Sequence, residues 1–202
     1  MDNPKPLIHW TPKLYDKIAR YYDWMACLFP IEKKGHDKVL EGLVEGSLID
    51  VACGTGTLLA KASVKGLKCF GMDTSSGMLA QAFTKAPDAK FLRASFYEIP
   101  YPEGTFDYVV ETNAVSGAEI EVKKVLREMI RVCKHGGEVR LADYGKPASS
   151  TRLSRTIEQV LQLIGDFAYD YKKLFDEFGY DPVVEELGWG GMYQFIKICK
   201  YI

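Results

Sequence analysis

The chain has 202 residues, 26 Lys plus Arg against 27 Asp plus Glu, and a net charge of −1, with 47% hydrophobic and 26% charged residues. At roughly 150 residues per domain this is one domain with an appendage, and the composition excludes disorder, collagen and coiled coil as the dominant state. Residues 1–40 carry +2, 41–150 carry −1 and 151–202 carry −2, so no segment supplies the basic stripe of non-specific nucleic-acid binding, and no nucleic-acid partner is expected.

In chain order, residues 4–30 combine early prolines with a helical pattern, Tyr15, Ile18, Ala19, Tyr22 and Met25, which predicts an amphipathic cap helix. From Ser47 onward, short apolar runs alternate with helical periodicity. Strands are predicted at Ser47–Val51, Leu67–Met72, Lys90–Ala94 and Phe106–Thr112, and helices at Thr57–Val64 and Ser76–Lys85. A helix over Glu119–Lys134 follows from Val122, Val125, Leu126, Met129, Ile130 and Cys133 falling on one face, with Gly136 and Gly137 as its stop. A strand at Glu138–Asp143, helices at Ser150–Ile164 and Tyr169–Phe178, and strands at Val183–Leu187 and Met192–Lys200 complete the chain. Only Gly188-Trp189-Gly190-Gly191 separates the last two strands, which requires an antiparallel hairpin. The expected fold is α/β: a doubly wound, seven-stranded, mostly parallel Rossmann-like sheet, with that hairpin at its end and the N-terminal helical cap. We divide it into a cap, residues 1–46, and a ligand-binding domain, residues 47–202, of one unit.

The longest apolar run, Trp24-Met25-Ala26-Cys27-Leu28-Phe29, stops at Pro30, short of the roughly 18 residues a membrane span needs. No span is expected, while peripheral membrane contact stays open. Met1-Asp2-Asn3-Pro4-Lys5-Pro6 lacks the pattern of a signal peptide, so a cytoplasmic protein is expected. Cys27, Cys53, Cys69, Cys133 and Cys199 are odd in number, widely spaced and without a CxxC or Cys/His cluster, which predicts reduced packing residues and no metal site.

The chemistry is concentrated in Leu48-Ile49-Asp50-Val51-Ala52-Cys53-Gly54-Thr55-Gly56-Thr57. A buried strand ends in an acid and turns on two glycines, which let backbone approach a ligand before a helix begins. Asp73 closes the next strand, where a carboxylate can accept from both ribose hydroxyls. The pair points to an adenosine-type cofactor. A dinucleotide fingerprint needs a small residue where this chain has Leu59, and Asp50 would repel a pyrophosphate but not an ammonium or sulfonium.

These residues resemble the class I S-adenosylmethionine-dependent methyltransferases, in particular the ubiquinone/menaquinone methyltransferase-like branch. The likeness runs through Tyr15-Asp16-Lys17-Ile18-Ala19-Arg20-Tyr21-Tyr22-Asp23, Asp50–Gly56 and Asp73-Thr74-Ser75-Ser76-Gly77-Met78-Leu79. It continues through Pro100–Asp107 and Leu126–Gly137, with an echo in Gly165, Asp166, Tyr169 and Tyr171. The resemblance implies methyl transfer from S-adenosyl-L-methionine, leaving S-adenosyl-L-homocysteine, to a small or lipid-like acceptor such as a quinol, a phospholipid amine or another small metabolite. It implies that Asp50 and the Gly54-Thr55-Gly56 backbone hold the methionine moiety and that Asp73 holds the ribose. Met78, Ser95 and Phe96 would hold the adenine, with Ala52, Thr74, Thr112, Tyr15 and Tyr22 completing the site. Ser95 and His135 depart from the family pattern, and Glu111-Thr112-Asn113-Ala114 matches no nucleic-acid-methylating motif. No catalytic residue is assigned; Glu111, Asp143 and His9 are candidate general bases. Trp10, Tyr21, Trp24, Phe29, Tyr169, Tyr171 and Trp189 could wall an apolar acceptor cavity, or serve as ordinary packing. A non-catalytic module of the same fold is the competing reading.

Overall fold

The structure is a computed structural model and describes residues 7–28, 30–117 and 120–201. The first six residues, Phe29 and the helix start expected at Glu119 lie outside the described residues. Seven strands, β1 (Ser47–Asp50), β2 (Lys68–Asp73), β3 (Lys90–Arg93), β4 (Phe106–Thr112), β5 (Cys133–Tyr144), β6 (Val183–Gly188) and β7 (Tyr193–Cys199), form one sheet in the order β3-β2-β1-β4-β5-β7-β6. β1 to β5 pair in parallel, whereas β7 is antiparallel to both β5 and β6. The expected seven-stranded α/β sheet and terminal hairpin are therefore present. The order reverses beside β1, and such a reversal in an open parallel sheet leaves a crevice above the strand ends for a ligand.

Strand residues alternate between two buried faces. Ile49, Val109, Leu141 and Ile196 point to one, beneath α5 (Val122–Val132) and α7 (Tyr171–Asp176). Their neighbours Leu48, Val110, Ala142 and Phe195 point to the other, beneath α2 (Pro30–Val39) and α3 (Thr57–Val64). Both faces are covered at the central strands, which explains why these read as continuous apolar runs, while the edge strands β3 and β6 stay largely exposed. The remaining helices are α1 (Pro12–Ala26), α4 (Ser76–Lys85) and α6 (Arg152–Ile164).

The cap helix expected within residues 4–30 is α1, Pro12–Ala26; beyond it the structure adds a helix that was not expected, α2, which begins at Pro30, a residue well suited to the first turn of a helix. α2 does not cap the site from outside; Val39 and Leu40 are buried, and Gly35 lies so close to Tyr193 that a Cβ would stand 2.4 Å from its hydroxyl. One expectation is corrected: the helix expected to reach Lys134 ends at Val132, and β5 starts directly at Cys133, so the two glycines sit inside the strand instead of ending the helix. Gly136 takes a φ of +77°, and a Cβ on Gly137 would lie 2.6 Å from the Asp107 carbonyl, which is the close approach these residues serve.

Candidate functional site

The turn after β1 is built around Asp73. Its Oδ2 accepts from the Gly54 amide at 3.0 Å and its Oδ1 from the Ser75 amide at 2.8 Å, so the acid at the end of β2 fixes the glycine turn at the end of β1. Ser75 in turn caps α4, accepting from the Met78 amide at 3.1 Å, which frees Asp73 from capping duty. Gly54 has a φ of +51°, and a Cβ placed on it would meet nothing within 4 Å: it borders open space. Gly56 differs, with a φ of +78° and only 2.8 Å from its Cβ position to Ala82; it brings α3 against α4.

Two cavities open at this turn. The first, about 280 Å³, runs over β2 and β3 and takes in Asp73, Thr74, Met78, Ser95 and Phe96. Its roof is α1 and the segment before it, through Trp10, Tyr15 and Tyr22, with Trp10 stacked on Tyr15 at 5.6 Å. The second, about 430 Å³, lies between the turn, α1, α2 and α3, and shares Tyr22, Ala52, Gly54, Thr112 and Asn113 with the first. Ten of the thirteen expected cofactor residues line the first cavity. Asp50 and Thr55 line only the second, and Gly56 lines neither. The Thr55 hydroxyl donates a hydrogen bond to Asp23 at 2.6 Å and accepts one from Lys85 Nζ at 2.8 Å, so its side chain serves to tie the turn to the cap.

Electrostatically the site is a cluster of reluctant carboxylates. Asp50 is buried with its Oδ1 unpartnered, and burial pushes its carboxyl up to about 7. Asp166, on the first cavity, is raised to about 7 by burial and by the charge of Asp143. Glu32, on the second, is raised to about 7 by burial and by Asp23. Such groups shed part of that cost when a cation arrives.

The loop after β4 is held by two further buried acids. Glu111 accepts from the Ala114 and Val115 amides, while Asp143 accepts from Val115 and Ser116 at 3.1 and 2.9 Å and from the Tyr171 hydroxyl at 3.2 Å. Asp143 and Glu111 Oε1 thus hold the loop's backbone, while Glu111 Oε2 is buried without a partner; neither acid lines either cavity, and His9, exposed, lines neither. The loop they hold puts Asn113 at a φ of +58° with its Oδ1 buried and unpartnered on the wall shared by both cavities.

The expected aromatic wall divides. Trp10 lines the first cavity, but Tyr21 and Trp24 are 52% and 71% exposed on the outer side of α1. Tyr171 is core, Trp189 stacks on Tyr144 at 5.7 Å, and Tyr169 packs at 6.3 Å from Tyr171, none of them on a cavity. Glu32 and His36 were missed because α2 was missed. Their i, i+4 spacing behind a proline was the available signal.

Residues 48–137 match the methyltransferase domain family. A curated relative, demethylmenaquinone methyltransferase of Bacillus subtilis strain 168, is 33% identical over 147 residues, covering 66% of this chain and 63% of that protein. The protein of the same name from Beutenbergia cavernae is 25% identical over 211 residues, covering 91% and 84%. The chain thus spans somewhat under two thirds of the Bacillus protein. Among solved structures, the complex between the Haloferax volcanii Trm112 methyltransferase activator and a putative methyltransferase superposes with a TM-score of 0.75 at 18% identity, over 93% of this chain and 98% of that one. The DhpI–SAH complex gives 0.71 at 17% identity over 94% and 95%.

Proposed function

From the methyltransferase-domain match over residues 48–137 and the relatives named demethylmenaquinone methyltransferase, we propose that the chain is a class I S-adenosylmethionine-dependent methyltransferase and transfers a methyl group from S-adenosylmethionine to a small, hydroquinone-like acceptor. The observation that carries the cofactor assignment is the open, Cβ-free wall at Gly54 between the Asp73 carboxylate and the orphaned Asp50 Oδ1. A nucleoside with an aminoacyl tail offers hydroxyls to the first acid and a cationic end to the second. In this reading Asp73 accepts from the ribose, Met78, Ser95 and Phe96 enclose the base, and Asp50 with the Gly54 backbone holds the methionine end. Ala52, Thr74, Thr112, Tyr15 and Tyr22 close the walls, and Gly56 and Thr55 hold the turn in shape. Residues 1–46 and 47–202 work as one unit, because the roof is α1.

When bound, the cofactor supplies an electrophilic methyl on a positively charged sulfur. The chain's part is to align the reactants and keep water out under Tyr15 and Tyr22. The curated relatives named for demethylmenaquinone support an aromatic hydroxyl acceptor. Calorimetry with S-adenosylhomocysteine is expected to show binding that weakens at least tenfold in Asp73→Ala, through loss of hydrogen bonds to a charged group. Incubation with S-adenosylmethionine and reduced demethylmenaquinone is expected to yield methylated quinone. Binding without turnover would support the non-catalytic module, and equal affinities would remove Asp73 from the site.

A further inference from the structure

We propose that the outer face of α1 docks on the surface of an anionic lipid bilayer. The proposal stands on the chemistry of that face and does not rest on the methyltransferase reading above.

Two kinds of side chain share the side of α1 turned away from the cavities. Lys13, Lys17, Arg20, Tyr21 and Trp24 follow one another at spacings of four, three, one and three, which at 3.6 residues per turn gathers them within about 100° of the helix surface. All five are exposed, and so is Leu28 just past the helix end. The cations stand toward the start of this strip and the aromatic groups toward its end, with the Arg20 guanidinium over the Tyr21 ring at 4.6 Å.

The acids of α1 are turned elsewhere. Asp16 accepts from the Ser75 hydroxyl and the Gly77 amide, and Asp23 meets Lys85 and Thr55. The one salt bridge that α1 makes among the described residues is that of Asp23 with Lys85, so the three cations keep their charge for something outside the chain. With a net charge of −1 over the whole chain, three cations without an acid on one helix face are a local segregation of charge.

A bilayer fits this strip better than another macromolecule does. Trp and Tyr settle at the boundary between headgroups and acyl chains, and each Lys or Arg near an anionic leaflet strengthens binding about fivefold. Protein interfaces are depleted in lysine, and one helix face falls short of the roughly 800 Å² that each partner buries in a standard interface. Among the described residues no helix is long and apolar enough to cross a membrane, so α1 lies along the surface. The contacts of Asp16 and Asp23, with Tyr15 and Tyr22 turned inward, keep the helix from rolling. They hold the strip outward, with one helix, about 10 Å across, between bilayer and cavity wall.

The test is flotation of the full chain with vesicles of phosphatidylcholine alone or with about one third phosphatidylglycerol. Wild type is expected to bind the mixed vesicles at least tenfold better than phosphatidylcholine alone at about 0.1 M salt and to lose most of that preference at about 0.5 M. Lys13→Gln/Lys17→Gln/Arg20→Gln should abolish the preference, and Tyr21→Ser/Trp24→Ser should weaken binding at least fivefold at either salt; both are expected to keep the wild-type unfolding midpoint. Tryptophan emission should shift to the blue on mixed vesicles, and the shift should vanish in Trp24→Phe although Trp10 and Trp189 remain. Lys65→Gln/Lys68→Gln/Lys90→Gln, which removes the same charge at the far end of the sheet, should bind as wild type. Equal binding of wild type to both vesicles, or a preference that survives in the α1 triple variant, overturns the proposal. An equal loss in the Lys65, Lys68 and Lys90 variant also overturns it, by making total charge the cause. A wild type that stays off both vesicles overturns it as well, and one that is then dimeric, but monomeric as Tyr21→Ser/Trp24→Ser, assigns the face to a second copy of the chain. S-adenosylhomocysteine affinity of the same proteins reports separately on the methyltransferase reading.

Discussion

Single residues in this site are held in states that free amino acids avoid. Asp50 is the clearest: wholly buried beside the second cavity, it has one oxygen without a partner, and burial pushes its carboxyl up to about 7. Because the folded value exceeds the unfolded one, its contribution to stability is intact below about pH 4 and is lost as the pH rises through about 7. Asp50→Asn is therefore expected to match wild type in thermal unfolding at low pH, to exceed it at pH 8, and to bind S-adenosylmethionine at least tenfold more weakly by calorimetry. Gly56 tests the opposite case, a residue that supports the site without touching it. With its positive φ and Ala82 at 2.8 Å from the Cβ position, Gly56→Ala should cost about 2–3 kcal/mol, read as a midpoint lowered by several degrees. The acid-and-glycine turn was legible in sequence because only these residue types make that shape. The separate duties of Gly54 and Gly56 were not, because they depend on α4, which arrives from elsewhere in the chain.

At the scale of elements, α1 behaves as a latched roof. Near its start Asp16 accepts from the Ser75 hydroxyl and the Gly77 amide, both at 2.7 Å, at the N-terminus of α4. Gly77 permits this because a Cβ there would stand 2.9 Å from the Asp16 Cα. Two helical turns later, Asp23 meets Lys85 and Thr55. Beside the two latches, Tyr15 and Tyr22 face the cavity and Tyr21 and Trp24 face out, as helical periodicity requires. Releasing both latches in Asp16→Ala/Asp23→Ala should leave the sheet folded and speed proteolytic cleavage within 12–26 several-fold, with S-adenosylhomocysteine slowing it again. Unchanged cleavage would mean that the aromatic contacts alone hold the roof. Periodicity sufficed to find α1, but α2 escaped because it is short and its apolar side is interrupted by Lys33, Lys34 and Gly35.

Over the whole molecule, the raised carboxyls act together. Glu32, Asp50 and Asp166 near 7 and Asp143 near 6 each withdraw stability as the pH climbs from the usual carboxylate range through those values. His36, lowered to about 4, works the other way, adding stability as the pH rises from about 4 to its unfolded value. Glu111 and Asp73 are raised too, and carboxylates held low, such as Asp107, complete their gain by the usual carboxylate range, so the unfolding midpoint of the free protein is expected to peak below neutrality and fall toward pH 8. S-adenosylmethionine, which is positively charged at sulfur, should raise the midpoint more at pH 8 than at pH 5.5, and by more than S-adenosylhomocysteine does. A midpoint shift independent of pH would show that these acids do not feel the ligand.

The sequence by itself determined the layered fold and the cofactor turn. Both follow from local rules: apolar runs of strand length alternating with helical periodicity, and an acid, two glycines and a second acid at strand ends. Only the tertiary structure decided what stands opposite that turn. It made α2 a wall of the site, moved Tyr21, Trp24, Tyr171 and Trp189 off the cavities, and engaged Glu111 and Asp143 with backbone amides while giving Glu32 and His36 no hydrogen-bond partner among the described residues. Burial and pairing depend on segments distant in the chain, and the chemistry of a carboxyl depends on them more than on its neighbours in sequence.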